Sequence, residues 1–461
     1  MSAGIPLLGD GLEVPCLDGS SRPYLGLDAA ASTPAMVAVA DEVAAFLPWY
    51  SSVHRGAGYK SQLATSSYES ARKAILEFAG RAGTDDIAII CRNTTEAINH
   101  LAYRLDLPPG SVVATTVVEH HANLLPWARV ATRRFVECGP DGTFDLEAVI
   151  AVLDERPTPR LLAITGASNV TGWSPPLDGA ITAAHDRGVP VLVDGAQLAA
   201  HRPLPQADFV VFSGHKTYAP FGAGVLIGPR SAFARGDPFL AGGGAVELVD
   251  LDEVVWSDPP EREEAGSPNV VGAVALGSAV RALGEMGWAA VSSHDDALST
   301  ALHDAIARRP ALRLLGAGLP VLKESAGGAA LPLATFVVED VPHGLVAARL
   351  SAEFGIGVRH GCFCAHPYIV RLLGLDKADV ARFREAALHR RRELLPGAVR
   401  VSASLSTSLG DIERLFSAVD EIVSTPPPVP YERDADTGDY WPAGFARPDQ
   451  PARSRPGCAA T

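Results

Sequence analysis

A lysine and a pair of cysteines carry the clearest chemical signals. In DFVVFSGHKTYAP an apolar strand runs directly into Ser213, Gly214, His215 and Lys216, and a glycine-rich turn follows. A lysine at the C-terminal end of a strand in an open α/β sheet lies where ligands bind. An amine held there forms a Schiff base with an aldehyde once its pKa is lowered. A plain surface lysine after a strand is the competing reading. The second signal is VRHGCFCAHP, 358–367, with Cys362 and Cys364 one residue apart beside His360, Gly361 and His366. Thiols so placed serve as metal ligands, a redox pair, inert lining or a sulfur-handling nucleophile. Zinc is disfavoured, because the four candidate ligands are crowded and no second ligand pair stands at typical spacing elsewhere. A nucleophile must be a thiolate at neutral pH, which Arg359, His360 or His366 would promote. Gly361 would free the loop to reach.

Other polar groups stand at strand ends along the same chain. VPVLVDGAQ puts Asp194 at the end of a strand and Gln197 just beyond. A carboxylate facing the ring nitrogen is what pyridoxal phosphate requires to remain an electron sink; a helix N-cap is the alternative. NTTEAINH places Asn93, Thr94 and Thr95 at the start of a helix. There free N–H groups and hydroxyls suit a phosphate, and a simple capping box with Glu96 uses the same residues. EHHANLLPW offers His120, a flat ring able to stack on a planar cofactor or to serve structure alone. Individually weak, these signals fall in one order at successive strand ends.

The elements that must position them read as follows. DIAIIC, SVVATTVV, RLLAIT, VPVLVD and DFVVFS are apolar strand candidates, separated for the most part by amphipathic helices such as TTEAINHLAYRL and PPLDGAITAAHDRG. Continuous apolar strands between helices predict a mostly parallel sheet covered on both faces. GAGVLIG follows DFVVFS too quickly for a helical crossover and is expected to run antiparallel. A long Ala/Val/Leu helix from about 269 to 287 leads into a second α+β unit, with helices near 289–308 and at HGLVAARLSAEF and a strand at LATFVVED. The expected divisions are an N-terminal segment, 1–25, packing with the small domain; a large cofactor-binding domain, 26–280; a small domain bearing the cysteine loop, 281–424; and a Pro-rich extended tail, 425–461. Cys458 in that tail reads as incidental.

Composition excludes several classes. The 461 residues are 47% hydrophobic and 20% charged, as in ordinary globular proteins. A formal net charge of -14 opposes general nucleic-acid binding. The basic run HRRRE, 389–393, reads as a solvated helix face. No secretory signal opens the chain, and no apolar run reaches the roughly 18 residues of a membrane helix. Six scattered cysteines do not make a disulfide framework. The expectation is a cytoplasmic protein with neither membrane nor nucleic-acid partner.

SVHRGAGYKSQLATSSYESAR, NTTEAINH, EHHANLLPW, SNVTG, VLVDGAQ, FSGHKTY and EAGSPN resemble, in order and spacing, the class V pyridoxal-phosphate enzymes. The similarity is greatest to the SufS-type cysteine desulfurases and selenocysteine lyases, and spans about Tyr24 to Ala418. It implies an α/β fold of the type I pyridoxal-phosphate transferase class, a mostly parallel mixed sheet with a smaller α+β C-terminal domain. It implies that Lys216 bonds the cofactor, Asp194 faces its ring nitrogen, His120 stacks on the ring and Gln197 reaches its phenolic oxygen. Thr94, Thr95, Ser213 and His215 would hold the phosphate, completed by Ser267 for the neighbouring subunit of a homodimer. Asn169 and Arg400 would grip the substrate carboxylate, with Arg359 and His54 also binding substrate and His54 and Arg55 near the mouth.

The family's catalytic cysteine lies in a segment reading Arg-x-Gly-His-His-Cys-Ala. Arg359, Gly361, Cys364 and Ala365 match it, while Cys362 and Phe363 replace the two histidines. Gly-Cys-Phe-Cys also resembles the molybdenum cofactor sulfurases. Between Cys364 and Arg400 lies a long insertion, expected to reshape the mouth or lay a helix over it. The implied reaction takes sulfur from L-cysteine or a derivative as a persulfide on Cys364, releases alanine, and passes the sulfur to an acceptor protein or thiol. A class V carbon–sulfur lyase, aminotransferase or epimerase acting on a larger amino acid would not need Cys364.

Overall fold

The computed structural model describes residues 5–325, 330–434 and 436–447. Seven strands form the large sheet: β1 (Asp86–Cys91), β2 (Val112–Thr116), β3 (Thr132–Val136), β4 (Leu161–Thr165), β5 (Val191–Asp194), β6 (Phe209–Ser213) and β7 (Gly224–Pro229). Their order is β1-β7-β6-β5-β4-β2-β3. All neighbours are parallel except β7, which runs antiparallel to both β1 and β6. The apolar runs are continuous because both faces are covered. Val191 and Val193 point into one core cluster and Leu192 into another, and Ala88 and Ile89 divide in the same way. Each fully buried aliphatic of this kind stabilises the fold by roughly 1.5–3 kcal/mol.

The second sheet is antiparallel: β8 (Leu312–Leu315), β9 (Leu333–Val338), β10 (Arg359–Gly361) and β11 (Ala398–Ser402), in the order β8-β9-β11-β10. Helices Trp288–Ala307, His343–Phe354 and Leu409–Ser424 cover it, through Leu302, Val346, Leu350, Leu415 and Val419. The N-terminal chain joins this unit. Leu25–Gly26 pairs in parallel with Ile356–Gly357, and Leu27 is buried in the same cluster. No single helix among the described residues is long and apolar enough to cross a membrane.

Two expectations need correcting. Part of the presumed extended tail is folded, since Tyr431–Arg433 and Tyr440–Pro442 form an antiparallel hairpin. It is fixed by the Tyr431 hydroxyl donating to Glu353 at 2.8 Å and by Asp439 pairing with His360 at 3.2 Å. Its aromatics supply the contact area that the prolines around them lack. Cys458 lies outside the described residues. The basic run 389–393 is solvated, but it is not a helix face. The helix Lys377–Leu388 stops before it, Arg390 adopts a left-handed φ of 58°, and Arg392–Leu394 forms a short 3-10 turn.

The insertion after Cys364 begins with the helix His366–Leu372, which docks on the large domain's flank. There the Tyr368 hydroxyl donates to the Gly142 carbonyl at 2.8 Å, and Arg371 pairs with Glu137 at 2.7 Å. The following helix, Lys377–Leu388, buries only Ala386.

Candidate active site

The C-terminal ends of β1, β4, β5 and β6 open onto one cleft of about 260 Å³. Its walls carry Thr94, Thr95, His120, Asn169, Asp194 and Gln197, together with Ser213, His215, Lys216, Arg359, Cys364 and Arg400. Parallel strands deliver the part of this wall from Thr94 to Lys216 to one edge. The antiparallel second sheet with its cysteine loop brings Arg359, Cys364 and Arg400 to the same cleft.

β6 ends at Ser213 and a 3-10 turn, Gly214–Lys216, swings the lysine into the cleft. Burial pulls the Lys216 ammonium down to about 8, with Asp194 opposing the shift and Arg400 reinforcing it. Asp194 terminates β5, is 4% exposed, and accepts the Ala196 N–H at 3.0 Å. Burial raises its pKa, while that hydrogen bond and Lys216 oppose the rise. The amine is thus poised near neutrality, as a carbonyl-trapping lysine must be. Gln197 is buried, and its Nε2 donates to the Ala30 carbonyl at 2.8 Å.

The helix Thr94–Arg104 starts at the end of β1, capped by Asn93, whose side chain accepts the Glu96 N–H at 3.0 Å. Asn93 is thus a one-sided cap rather than half of a capping box, since the Glu96 carboxylate accepts the Arg92 N–H at 2.6 Å, and the threonines line the cleft as well. The Thr94 N–H donates to Ser213 Oγ at 2.7 Å, and the two hydroxyls are also 2.7 Å apart. N–H groups at a helix start with clustered hydroxyls make an anion cradle. The backbone carbonyl of His215 accepts from the Ser32 and Thr33 hydroxyls at 3.1 and 3.2 Å. Burial, then Lys216, lowers its imidazole pKa.

His120 is held by its own backbone, with Nδ1 accepting the Ala122 N–H at 3.1 Å. That fixes the ring's proton on Nε2. Burial, then Lys216, His121 and Arg400, lowers its pKa to about 4. Beneath it, Glu119 is fully buried and accepts from the Thr116 hydroxyl, the Asn123 amide and the Thr165 N–H at 2.7, 2.7 and 2.9 Å. Burial raises this carboxyl to about 8 despite those bonds.

Arg400, 2% exposed on β11, donates through Nη1 to the Asn169 carbonyl at 2.8 Å and through Nη2 to Asp28 at 2.9 Å. Its buried Nε has no hydrogen-bond partner among the described residues. Burial lowers its pKa and Asp28 opposes the shift. Asp28 also pairs with Arg359 at 3.5 Å. Neither Asp28 nor Glu119 stood out in the sequence. Glu119 directly precedes His120 in EHHAN, and that adjacency was the only signal; Asp28, in LGLDAAAS, gave none.

The cysteine loop turns through two consecutive left-handed residues, Phe363 (φ 53°) and Cys364 (φ 52°). Such a pair is costly for non-glycine residues. It is held from both sides: the Asn169 amide donates to the Phe363 carbonyl at 2.7 Å and the His121 N–H to the Cys364 carbonyl at 2.8 Å. The Arg400 guanidinium lies 5.1 Å from the Phe363 ring centroid. Both thiols are free, and they differ. Cys364 is exposed and lines the Lys216 cleft, whereas Cys362 points away, its Sγ 2.7 Å from the Pro396 carbonyl. Burial pushes the Cys362 thiol up to about 12. The flanking histidines are engaged elsewhere: His360 with His343 and Asp439, His366 stacked on His121 at 5.0 Å.

Two candidates lie apart from this cleft. His54 and Ser267, with Arg55, line a separate one alongside Glu264. His54 has a left-handed φ of 68° and bonds Glu69 at 2.9 Å, which raises its pKa. Within one chain, therefore, neither reaches Lys216.

The donor set fits pyridoxal phosphate. A buried amine near neutrality faces a buried carboxylate, a neutral ring stands beside them, and a helix start with hydroxyls closes the end. The aminotransferase class-V family matches this chain over residues 25–415. A cysteine desulfurase of Dickeya dadantii is 37% identical over 366 residues, covering 76% of this chain and 85% of that protein. A probable cysteine desulfurase of Vibrio cholerae is 33% identical over 417 residues, covering 88% and 95%. The crystal structure of the cysteine desulfurase CsdA from Escherichia coli has a TM-score of 0.71 at 31% identity, covering 86% of this chain and 94% of that one. A cysteine desulfurase from Thermococcus onnurineus NA1 gives 0.76 at 28%, covering 87% and 94%. Built on that fold and around that cleft, the chain belongs to the aminotransferase class-V family of pyridoxal-phosphate enzymes.

Proposed function

We propose that this protein is a cysteine desulfurase, taking the sulfur of L-cysteine onto Cys364 as a persulfide and releasing alanine. The observation that carries the reading is the placement of an exposed Cys364 on a braced left-handed turn in the same cleft as Lys216. Relatives bearing the name cysteine desulfurase over most of both chains support it.

When bound, pyridoxal phosphate supplies an electron sink that acidifies the substrate's α-carbon. Lys216 would hold it covalently, and the same amine, kept near neutrality by burial, would move the substrate's α-proton. Asp194 would keep the ring nitrogen protonated, Gln197 would reach the phenolic oxygen with the N–H that the Ala30 carbonyl does not take, and the neutral His120 ring would pack on the cofactor. Thr94, Thr95, Ser213 and His215 would hold the phosphate. Arg400, aided by Asn169 and Arg359, takes the substrate carboxylate and turns its sulfur toward the cysteine loop. The Cys364 thiolate attacks that sulfur, a sulfur–sulfur bond forms as the carbon–sulfur bond breaks, and the carbon ends protonated as the methyl of alanine.

Ser267 and His54 act across a homodimer interface in this reading, Ser267 completing the phosphate cradle of the neighbouring subunit. In this reading the cofactor domain begins after Leu27, which packs in the small domain's core. It ends with the helix Val270–Met286, whose Leu283 packs in the large core, while the chain from there to 424 carries the cysteine loop. The setting is the reducing cytoplasm, and the acceptor is a protein or small thiol.

Product analysis of the holoenzyme with cysteine, selenocysteine, cysteine conjugates and non-sulfur amino acids tests the reading. Alanine with equimolar sulfide or persulfide from cysteine is expected. Pyruvate and ammonia would indicate a carbon–sulfur lyase instead, an oxo acid an aminotransferase, and racemised substrate an epimerase.

A further inference from the structure

Cys364 stands on a wall shared by two cavities. Arg359, Phe363 and Cys364 line the Lys216 cleft on one side and a cleft of about 560 Å³ on the other. The C-terminal hairpin and the end of the insertion build this outer cleft, through Arg433, Gly438 and Asp439 on the former and Arg392, Leu395 and Pro396 on the latter. The two walls are tied together by Arg433, which donates to the Glu393 carbonyl and is held on its own hairpin with its guanidinium 5.2 Å from the Tyr440 ring centroid.

The charges in the cleft do not balance. Three arginines, Arg359, Arg392 and Arg433, face Asp28 and Asp439. Asp28 is already engaged by Arg400 and Arg359, and Asp439 by His360. Among the described residues neither Arg392 nor Arg433 makes a salt bridge, and the nearby Glu393 carboxylate, which also feels Arg433, is already paired with Arg391 at 3.0 Å. Such a surplus favours an anion.

We propose that the outer cleft is an acceptor site, in which a small thiol bearing carboxylates collects sulfur from Cys364. This rests on the desulfurase reading, in which Cys364 carries a persulfide. The acceptor's thiolate attacks the terminal sulfur and a new sulfur–sulfur bond forms. The bond to Cys364 Sγ breaks, its electron pair returns to Cys364 as thiolate, and no external oxidant or reductant is consumed. Arg392 and Arg433 hold the acceptor's carboxylates. Because the two clefts open on either side of the loop, the acceptor need not displace the amino acid.

The holoenzyme is first charged with cysteine and the alanine released is measured. It is then mixed with 2-mercaptosuccinate, 2-mercaptoethanol or cysteamine, and loss of the Cys364 persulfide is followed by mass spectrometry. Arg392→Glu should slow transfer to mercaptosuccinate about tenfold, while transfer to neutral mercaptoethanol changes by less than about twofold. Arg392→Lys should retain most of the mercaptosuccinate rate. An equal effect on all three thiols, no effect of Arg392→Glu, or transfer to a protein thiol alone would overturn the acceptor site. Absence of alanine in the charging step would instead overturn the desulfurase reading, and the acceptor site with it.

Discussion

Thr94 and Ser213 meet at 2.7 Å although the strands that deliver them, β1 and β6, are not neighbours in the sheet. The strand between them is β7, whose Gly224 lies opposite both Cys91 and Ser213. A Cβ at Gly224 would fall 2.5 Å from the Asn93 backbone, so only glycine lets the helix start close over Ser213. Gly224→Ala should push this helix start away and open the phosphate cradle. The cofactor dissociation constant, measured by fluorescence titration of the apoenzyme, should rise at least about tenfold, the equivalent of a lost charge-assisted hydrogen bond. Unchanged affinity would show that the cradle does not depend on this approach.

His120 gives a pH dependence with a defined sign. Its folded pKa of about 4 lies below the ordinary 6.5, so the fold favours the neutral ring. The resulting stability is fully present above pH 6.5 and is lost as pH falls toward about 4. Relative to His120→Asn, the wild-type protein should lose up to about 2 kcal/mol of unfolding free energy between pH 7 and pH 5. Urea denaturation at both values checks this, and a constant difference would contradict it.

Arg400 is held in one orientation by the Asn169 carbonyl and by Asp28, and its planar fork suits a carboxylate. Arg400→Lys keeps the charge and loses the fork. It should raise KM for the amino-acid substrate by roughly ten- to a hundredfold and lower kcat much less. Steady-state kinetics separate the two, and a fall confined to kcat would place Arg400 in the chemistry rather than in binding.

Much of this site was legible because α/β topology converts sequence order into spatial order. Each apolar run ending in a polar residue delivers that residue to one edge, and so the sequence order alone groups Thr94, His120, Asp194 and Lys216. β3 was overlooked, since TRRFV has two arginines and lies at the sheet edge, where only one side is paired. Asp28 escaped notice because its importance arises from a contact 372 residues away with Arg400. The hairpin at 431–442 was hidden by its prolines and charges, and its order comes from the helix it rests on. The separation of His54 and Ser267 from Lys216 follows from distances within one chain, which spacing along the sequence does not encode.

We propose that Cys364, and not Cys362, receives the sulfur. Cys364 is exposed in the cleft, while burial holds the Cys362 thiol protonated beside the Pro396 carbonyl. The direct measurement is alanine formed from cysteine by Cys364→Ser and Cys362→Ser holoenzymes, each shown by its visible absorbance to carry the cofactor. Cys364→Ser should lose at least about a hundredfold in turnover, and Cys362→Ser should stay within about threefold of the wild-type rate. Full alanine production by Cys364→Ser would contradict the account.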